Sequence, residues 1–221
     1  MISAVLLAAG SARRFDGGQK LLASVPYEGA TIPLVRLSVM CLLAAPLERV
    51  IVVVGREGDA VRRGLAGCPV EIVSNADAEG GMSSSLRLGV EAAARIWPDS
   101  RGLLVALGDQ PIVDREIIHA LVRQLDLDGV AIVAPRFQGT PGTPVLFTPP
   151  LLPELLALRG DRGARSVVER DASRVRYVDF ARPAPRDVDT VTDLTNLVNE
   201  LRTSSAFLSS NRCIPDGKRV Y

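Results

Sequence analysis

A few charged residues in this chain have the types and settings that phosphate chemistry requires. Asp109 stands in Gly108-Asp109-Gln110-Pro111, directly after the apolar run LLVAL. An acidic side chain in a tight turn at the carboxyl end of a strand is well placed to hold Mg²⁺ between phosphates. A turn-forming or helix-starting aspartate is the alternative. However, Asp114 already offers an N-cap for the next helix and leaves Asp109 without that duty. Asp187 and Asp189 flank Val188, and strand alternation would turn both carboxylates to one face. There they could complete a magnesium site with Asp109. Asp189 or Thr190 is also suited to cap the last helix, with Asp193 in its first turn.

The complementary cations lie near the amino terminus, in VLLAAGSARRFDGGQK from Val5 to Lys20. Ala8, Ala9, Gly10 and Ser11 have small side chains, so backbone N–H groups there can approach a nucleotide closely. Arg13, Arg14 and Lys20 then supply positive charge for a polyphosphate. The stretch is not a GxxxxGK[ST] loop, because its glycine spacing fails and no Ser or Thr follows the lysine. Taken alone, it reads equally well as a solvated turn.

Two further loops are candidates. Glu79 opens EGGMSSSLRLG, where Gly81, Ser83, Ser84 and Ser85 precede an amphipathic helix. Free N–H groups and hydroxyls at such a helix start suit a nucleotide base, ribose or anion. The plain alternative is an ordinary cap at Ser83 or Ser84, though the stretch holds more glycine and serine than a cap requires. In RGDRGAR, Arg162 and Arg165 are three apart at a helix start, where they could grip an anionic second substrate. Solvated arginines on a surface helix are the alternative.

The elements that must position these loops are legible as alternating apolar runs and helix-period segments. Strands are expected at ISAVLLAA, Arg49–Gly55, Val70–Ser74, Gly102–Gly108 and Gly129–Pro135. Helices are expected from Leu34, Gly58, Ser84 and Arg115. This alternation implies βαβ units and a parallel sheet with right-handed crossovers. After Pro135 the Gly/Pro-rich RFQGTPGTPVLFTPP suggests an excursion from the sheet, a hairpin or lid around the short strand VLF. A helical segment from Leu151, the strand RVRYVDF and a helix from Thr192 to Arg202 complete a domain over residues 1–202. Residues 203–221 have no clear periodicity and read as a loosely ordered tail.

Composition narrows the function. The 221 residues carry a net charge of +1, which gives no electrostatic case for binding nucleic acid or a membrane surface. No run reaches the ~18 apolar residues of a membrane helix. The apolar opening run lacks the positive n-region of a secretory signal, so a buried strand is the better account. Cys41, Cys68 and Cys213 are widely spaced and odd in number, suggesting neither zinc nor a disulfide framework. Reduced thiols in the cytoplasm are expected.

Together these loops resemble the MobA-like nucleotidyltransferases, in particular the molybdenum cofactor cytidylyltransferases. The resemblance rests on LLAAGSARRFDGGQK, Gly81-Met82-Ser83-Ser84-Ser85-Leu86, Gly108–Pro111, Gly160–Arg165 and DVDTVTDL from Asp187 to Leu194. It spans roughly residues 2 to 202 and implies a Rossmann-like, GT-A type three-layer fold with a mostly parallel sheet. It further implies transfer of CMP from CTP to a molybdopterin phosphate with release of pyrophosphate. Mg²⁺ would be held by Asp109 with Asp189 and Asp187, and Lys20 and Arg14 would act on the phosphates. LAAG at Leu7–Gly10 favours CTP over GTP, since the related guanylyltransferases usually read LAGG. A molybdoenzyme or its insertion chaperone would receive the product.

Two motifs depart from that pattern. Thr143 stands where the family commonly has histidine, and DVDTVTDL has Val191 and Thr192 in place of proline and glutamate. The acceptor nucleophile would be a phosphate monoester, largely ionised near pH 7 because its second pKa is about 6. No side-chain base is then required, and the lone histidine, His119, reads as a helix-face residue. Competing readings are a guanylyltransferase or other NTP transferase acting on a phosphorylated small molecule, and a non-catalytic molybdenum-cofactor-binding chaperone.

Overall fold

The computed structural model describes residues 1–10, 15, 19–27, 29–56, 58–111, 115–125 and 129–203. Ser11, Arg13, Arg14 and Asp114 therefore lie outside the described residues. So does the expected tail, apart from the helical backbone of residue 203.

The opening run forms the middle of the sheet. β1 (Ile2–Ala8) pairs in parallel with β4 (Arg49–Val54) on one side and β6 (Gly102–Leu107) on the other. Beyond β4 lies β5 (Glu71–Ser74), also parallel. On the far side of β6 come β9 (Val145–Phe147), β7 (Ile132–Phe137) and the parallel edge strand β10 (Val175–Phe180). β8 (Thr140–Pro141) folds back on β7 as a hairpin. The chain thus leaves β1 towards β4 and β5, then returns to β6 on the opposite side. That reversal opens a crevice beyond the carboxyl ends of β1 and β6, where open α/β sheets bind ligands.

Strand alternation divides the core between two faces. Ala4, Leu6, Val50, Val52, Leu104 and Ala106 face α1 (Leu34–Leu43), α2 (Gly58–Gly64) and α4 (Arg115–Leu125). Val5, Ile51, Val53, Leu103, Val105 and Phe147 face α3 (Met82–Ile96), α5 (Leu152–Leu156) and α6 (Arg165–Arg170). The result is the expected three-layer, mostly parallel α/β architecture. No described helix is long and apolar enough to cross a membrane.

The expected excursion at VLF is corrected. β9 is inserted antiparallel between β6 and β7, and all three of its residues are buried. A strand apolar on both faces is most stable when covered on both, so VLF belongs at the centre of the sheet rather than in a lid. The strand expected at Gly129 begins instead at Ile132, because Gly129 adopts φ +75° and turns the chain. A small antiparallel hairpin of β2 (Ser24–Tyr27) and β3 (Ala30–Pro33) was not foreseen. It packs with α1, Phe15 and the last helix, α7 (Val191–Thr203), in a third apolar cluster.

Cys41 is buried in that cluster, and burial pushes its thiol up to about 12. Such a thiol is an inert packing group and not a nucleophile. Helix α3 lies close on the sheet because Gly89 has no side chain. A Cβ there would stand 2.5 Å from Val5 Cγ1 and 3.0 Å from Val53 Cγ2. Gly89→Val is accordingly expected to destabilise the protein by about 2–3 kcal/mol through overpacking, read as a lower midpoint in urea denaturation. An unchanged midpoint would refute this close packing.

Candidate active site

Three loops from distant parts of the chain meet at the crevice. The Lys20 ammonium donates to Asp109 Oδ2 at 2.7 Å and to Asp189 Oδ1 at 2.8 Å. The lysine side chain is only 12% exposed, whereas Asp109 and Asp189 are 29% and 47% exposed. Burial alone would lower the lysine pKa, but the hydrogen bonds from Asp109 and Asp189 outweigh it and raise the pKa above the ordinary value. Asp187 stands close enough to feel the same charges. Partial desolvation, then the neighbouring Asp109 and Asp189, push its carboxyl above the usual range, with Lys20 opposing.

The local sequence explains this convergence. Lys20 opens a 3-10 turn, Lys20–Leu22, whose Leu21 is buried against the main core. Gly108 allows the β6 loop to pass close to β1, since a Cβ there would stand 3.1 Å from the Leu7 carbonyl oxygen. The Ser38 hydroxyl of α1 donates to the Gly108 carbonyl at 2.8 Å. Val188 is 1% exposed within the third cluster, and its N–H donates to the Asp109 carbonyl at 2.9 Å. With Val188 anchored inward, its two aspartate neighbours are left at the crevice, as alternation predicts.

Thr190 rather than Asp189 caps α7. Its hydroxyl accepts from the Asp193 N–H at 3.1 Å, while the Asp193 carboxylate accepts from the Thr190 N–H at 2.8 Å. This reciprocal arrangement is a capping box with aspartate as the reaching acid. Asp189 is thereby freed to face Lys20.

Gln110 and Thr143 add a second tie between loops. The Thr143 hydroxyl donates to Gln110 Oε1, and Gln110 Nε2 donates to the Pro185 carbonyl at 3.0 Å. The buried amide therefore links the β8–β9 connection to the segment that carries Asp187 and Asp189. Sequence reading named Thr143 only as a departure and gave Gln110 no role. Its signal was an amide flanked by a functional aspartate and a proline, which is weak alone.

The serine-rich turn is built differently from expectation. Met82 begins α3 and Gly81 is its N-cap residue, so neither Ser83 nor Ser84 is the cap. Ser83, Ser84 and Ser85 are all buried. Asn75 Nδ2 donates to the Ser84 and Ser85 hydroxyls at 2.9 Å each, and Ser84 Oγ in turn donates towards the Asp77 and Gly81 carbonyls. These hydroxyls shape the turn, because a buried polar group is stable only when partnered.

The RGDRGAR loop covers the same helix end. The Gly160 carbonyl accepts from the Ser83 N–H at 3.1 Å, and Asp161 Oδ1 lies 3.4 Å from the Met82 nitrogen. The positive end of α3 is thus met by the protein's own oxygens. Arg162 is exposed in this loop and precedes α6 rather than lying on its first turn. Arg165 does begin α6, but it pairs with Glu169 at 2.7 Å and is 72% exposed. The two arginines therefore stand on different elements, Arg162 in the loop and Arg165 on α6.

Ala8 ends β1, and Gly10 is exposed with no atom within 4 Å of where its Cβ would lie. His119 is half-buried on α4, as a helix-face residue.

A match to the MobA-like NTP transferase domain covers residues 4–175. The chain belongs to this family. Nicotine blue oxidoreductase of Paenarthrobacter nicotinovorans is 30% identical over 204 residues, covering 89% of this chain and 96% of that protein. The structure of Rv0371c from Mycobacterium tuberculosis in complex with manganese aligns with a TM-score of 0.72 at 28% identity, covering 90% of this chain and 98% of that one. A nucleotidyl transferase from Methanothermobacter (Mth528) aligns with a TM-score of 0.75 at 26% identity, covering 92% and 99% of the two chains. Asp187 and Asp189 lie beyond the stretch matched by the family model, so their convergence with Asp109 is a finding of the structure.

Among the described residues, no three metal-ligating side chains are gathered closely enough to hold an ion as they stand. Asp109 and Asp189 nevertheless converge on a single cation, the Lys20 ammonium. Carboxylate oxygens are the donors that hard divalent cations prefer. The residues present fit such an ion once the ammonium moves aside.

Two substitutions test the loop architecture. Gly81 has φ +87°, and a Cβ there would stand 2.5 Å from the Gly160 carbonyl carbon. Gly81→Ala is expected to cost about 3 kcal/mol from backbone strain and overlap together, measured by urea denaturation. Thr143→Val removes the donor to Gln110 and is expected to cost about 1 kcal/mol, with a lower melting temperature as the readout.

Proposed function

We propose that this NTP transferase moves CMP from CTP to the phosphate of a molybdopterin-type cofactor in the cytoplasm and releases pyrophosphate. The observation that carries the reading is the Lys20–Asp109–Asp189 cluster at the switch point of the sheet. In this reading a phosphate oxygen of the acceptor attacks the α-phosphorus of CTP, and the bond to the departing pyrophosphate breaks. The acceptor phosphate is ionised at neutral pH, so the chain has no proton to remove.

The chain's contribution is placement and charge. Backbone N–H groups from Ala8 to Ser11 approach the nucleotide, with Gly81 and Ser83–Ser85 walling its other side. The internal bonds of Ser84 and Ser85 make their role one of shaping that wall. Lys20, with Arg14, neutralises charge that develops on the α-phosphate and the leaving pyrophosphate. Asp109, with Asp189 and Asp187, would hold Mg²⁺, which would supply Lewis-acid stabilisation of the charge on the phosphates. Arg162 remains available to an anionic acceptor, while Arg165 already has a partner in Glu169. The preference for CTP rests on LAAG at Leu7–Gly10.

The deciding experiment is incubation with Mg²⁺, molybdenum-loaded molybdopterin and each of CTP, GTP and ATP in turn. CMP incorporation with pyrophosphate release is the expected result, and exclusive GMP incorporation overturns the choice of base. Lys20→Ala and Asp109→Ala are expected to fold normally and lose about a hundredfold or more in turnover. Near-normal turnover by Asp109→Ala at saturating Mg²⁺ removes that residue from the metal site. The name of the Paenarthrobacter relative favours a second reading, an oxidoreductase. Substrate-dependent oxidation of a nicotinamide cofactor, with no NTP consumed, would select it.

A further inference from the structure

Resting on the nucleotidyl-transfer reading, we propose that Lys20 competes with a divalent cation for the same two carboxylates, so that the site binds its metal well only after a nucleotide has drawn the lysine away. Both Asp109 Oδ2 and Asp189 Oδ1 are spent on one ammonium, at 2.7 and 2.8 Å. A metal held by the same two carboxylates would stand against that ammonium. A metal ion and an ammonium cannot share them without strong mutual repulsion in a half-buried setting.

The lysine is equipped to leave. Its charge sits on a flexible four-carbon stem, and it stands at the first position of a short 3-10 turn rather than inside a long helix. A nucleoside triphosphate brings anionic oxygens to the crevice and gives the ammonium new partners. The carboxylates are then released together, while Val188 holds their loops in register through its bond to the Asp109 carbonyl. Nucleotide and metal therefore favour each other's binding through one side chain, and linkage requires that effect to be mutual. A metal that entered alone would meet a site already neutralised in part by the protein itself.

The test measures nucleotide-free Mn²⁺ binding by electron paramagnetic resonance of the unbound ion, with melting temperatures taken on every variant. Lys20→Met is expected to bind Mn²⁺ more tightly than the wild type, by something on the order of tenfold. Arg186→Gln removes the same charge from an exposed residue next to Asp187, whose guanidinium lies 3.8 Å from Glu200. It is expected to change affinity by less than roughly twofold, because an exposed charge is screened. An equal gain in both variants, no gain in Lys20→Met, or no Mn²⁺ binding by any variant overturns the proposal. Lys20→Gln, measured in the same way, serves if Lys20→Met melts early. Pyrophosphate release by the wild type keeps the two ideas separable. Turnover without a gain in Lys20→Met defeats the displacement alone, whereas a gain without turnover on any NTP defeats the transferase reading and leaves the competition standing.

Discussion

An ammonium group held between two carboxylates joins parts of the chain that lie 89 and 169 residues apart. The rest of the structure is arranged so that this contact can exist. The sheet brings the β1 and β6 loops to one crevice, and the third core cluster places the carboxyl-terminal segment beside them. The hairpin of β2 and β3 and helix α7 both belong to the cluster that buries Val188. That cluster supports Asp187 and Asp189 from beneath. The charged site is therefore held by apolar packing on one side and by hydrogen bonds between its loops on the other.

A different economy governs the turn at the start of α3. Its hydroxyls are engaged with Asn75, and its first N–H groups meet oxygens of the RGDRGAR loop. The helix end is thus satisfied internally, and recognition there falls to shape and backbone. In the proposed function Lys20 and the aspartates form the charged pole of the nucleotide site, and Gly81 with the buried serines forms a neutral wall. A nucleotide has matching halves, a polyphosphate and a base.

Much of this was legible in the sequence, for definable reasons. Continuous apolar runs such as VLLA and RVIVVV have one stable use in an α/β protein, and they became central parallel strands. Asp109 was legible because its position after a strand left it without a structural duty. VLF was misplaced because three residues carry too little periodicity to separate a lid from a buried strand. The internal bonding of the serines was hidden for another reason. Their partner Asn75 is nine or ten residues away, and no local pattern announces such a bond. Gln110 escaped notice similarly, since its two partners come from other loops.

The contact between Gly81 and Gly160 reaches beyond stability. One glycine belongs to the turn that starts α3, and the other to the loop that carries the exposed Arg162. With no room for a methyl group between them, the two loops have no independent freedom to drift. An insertion that reshaped one would have to be accommodated by the other. On the proposed function, divergence towards a new second substrate is thereby tied to the geometry that receives the first. New pairings of donor and acceptor would then arise by joint change across both loops rather than by exchange of one module.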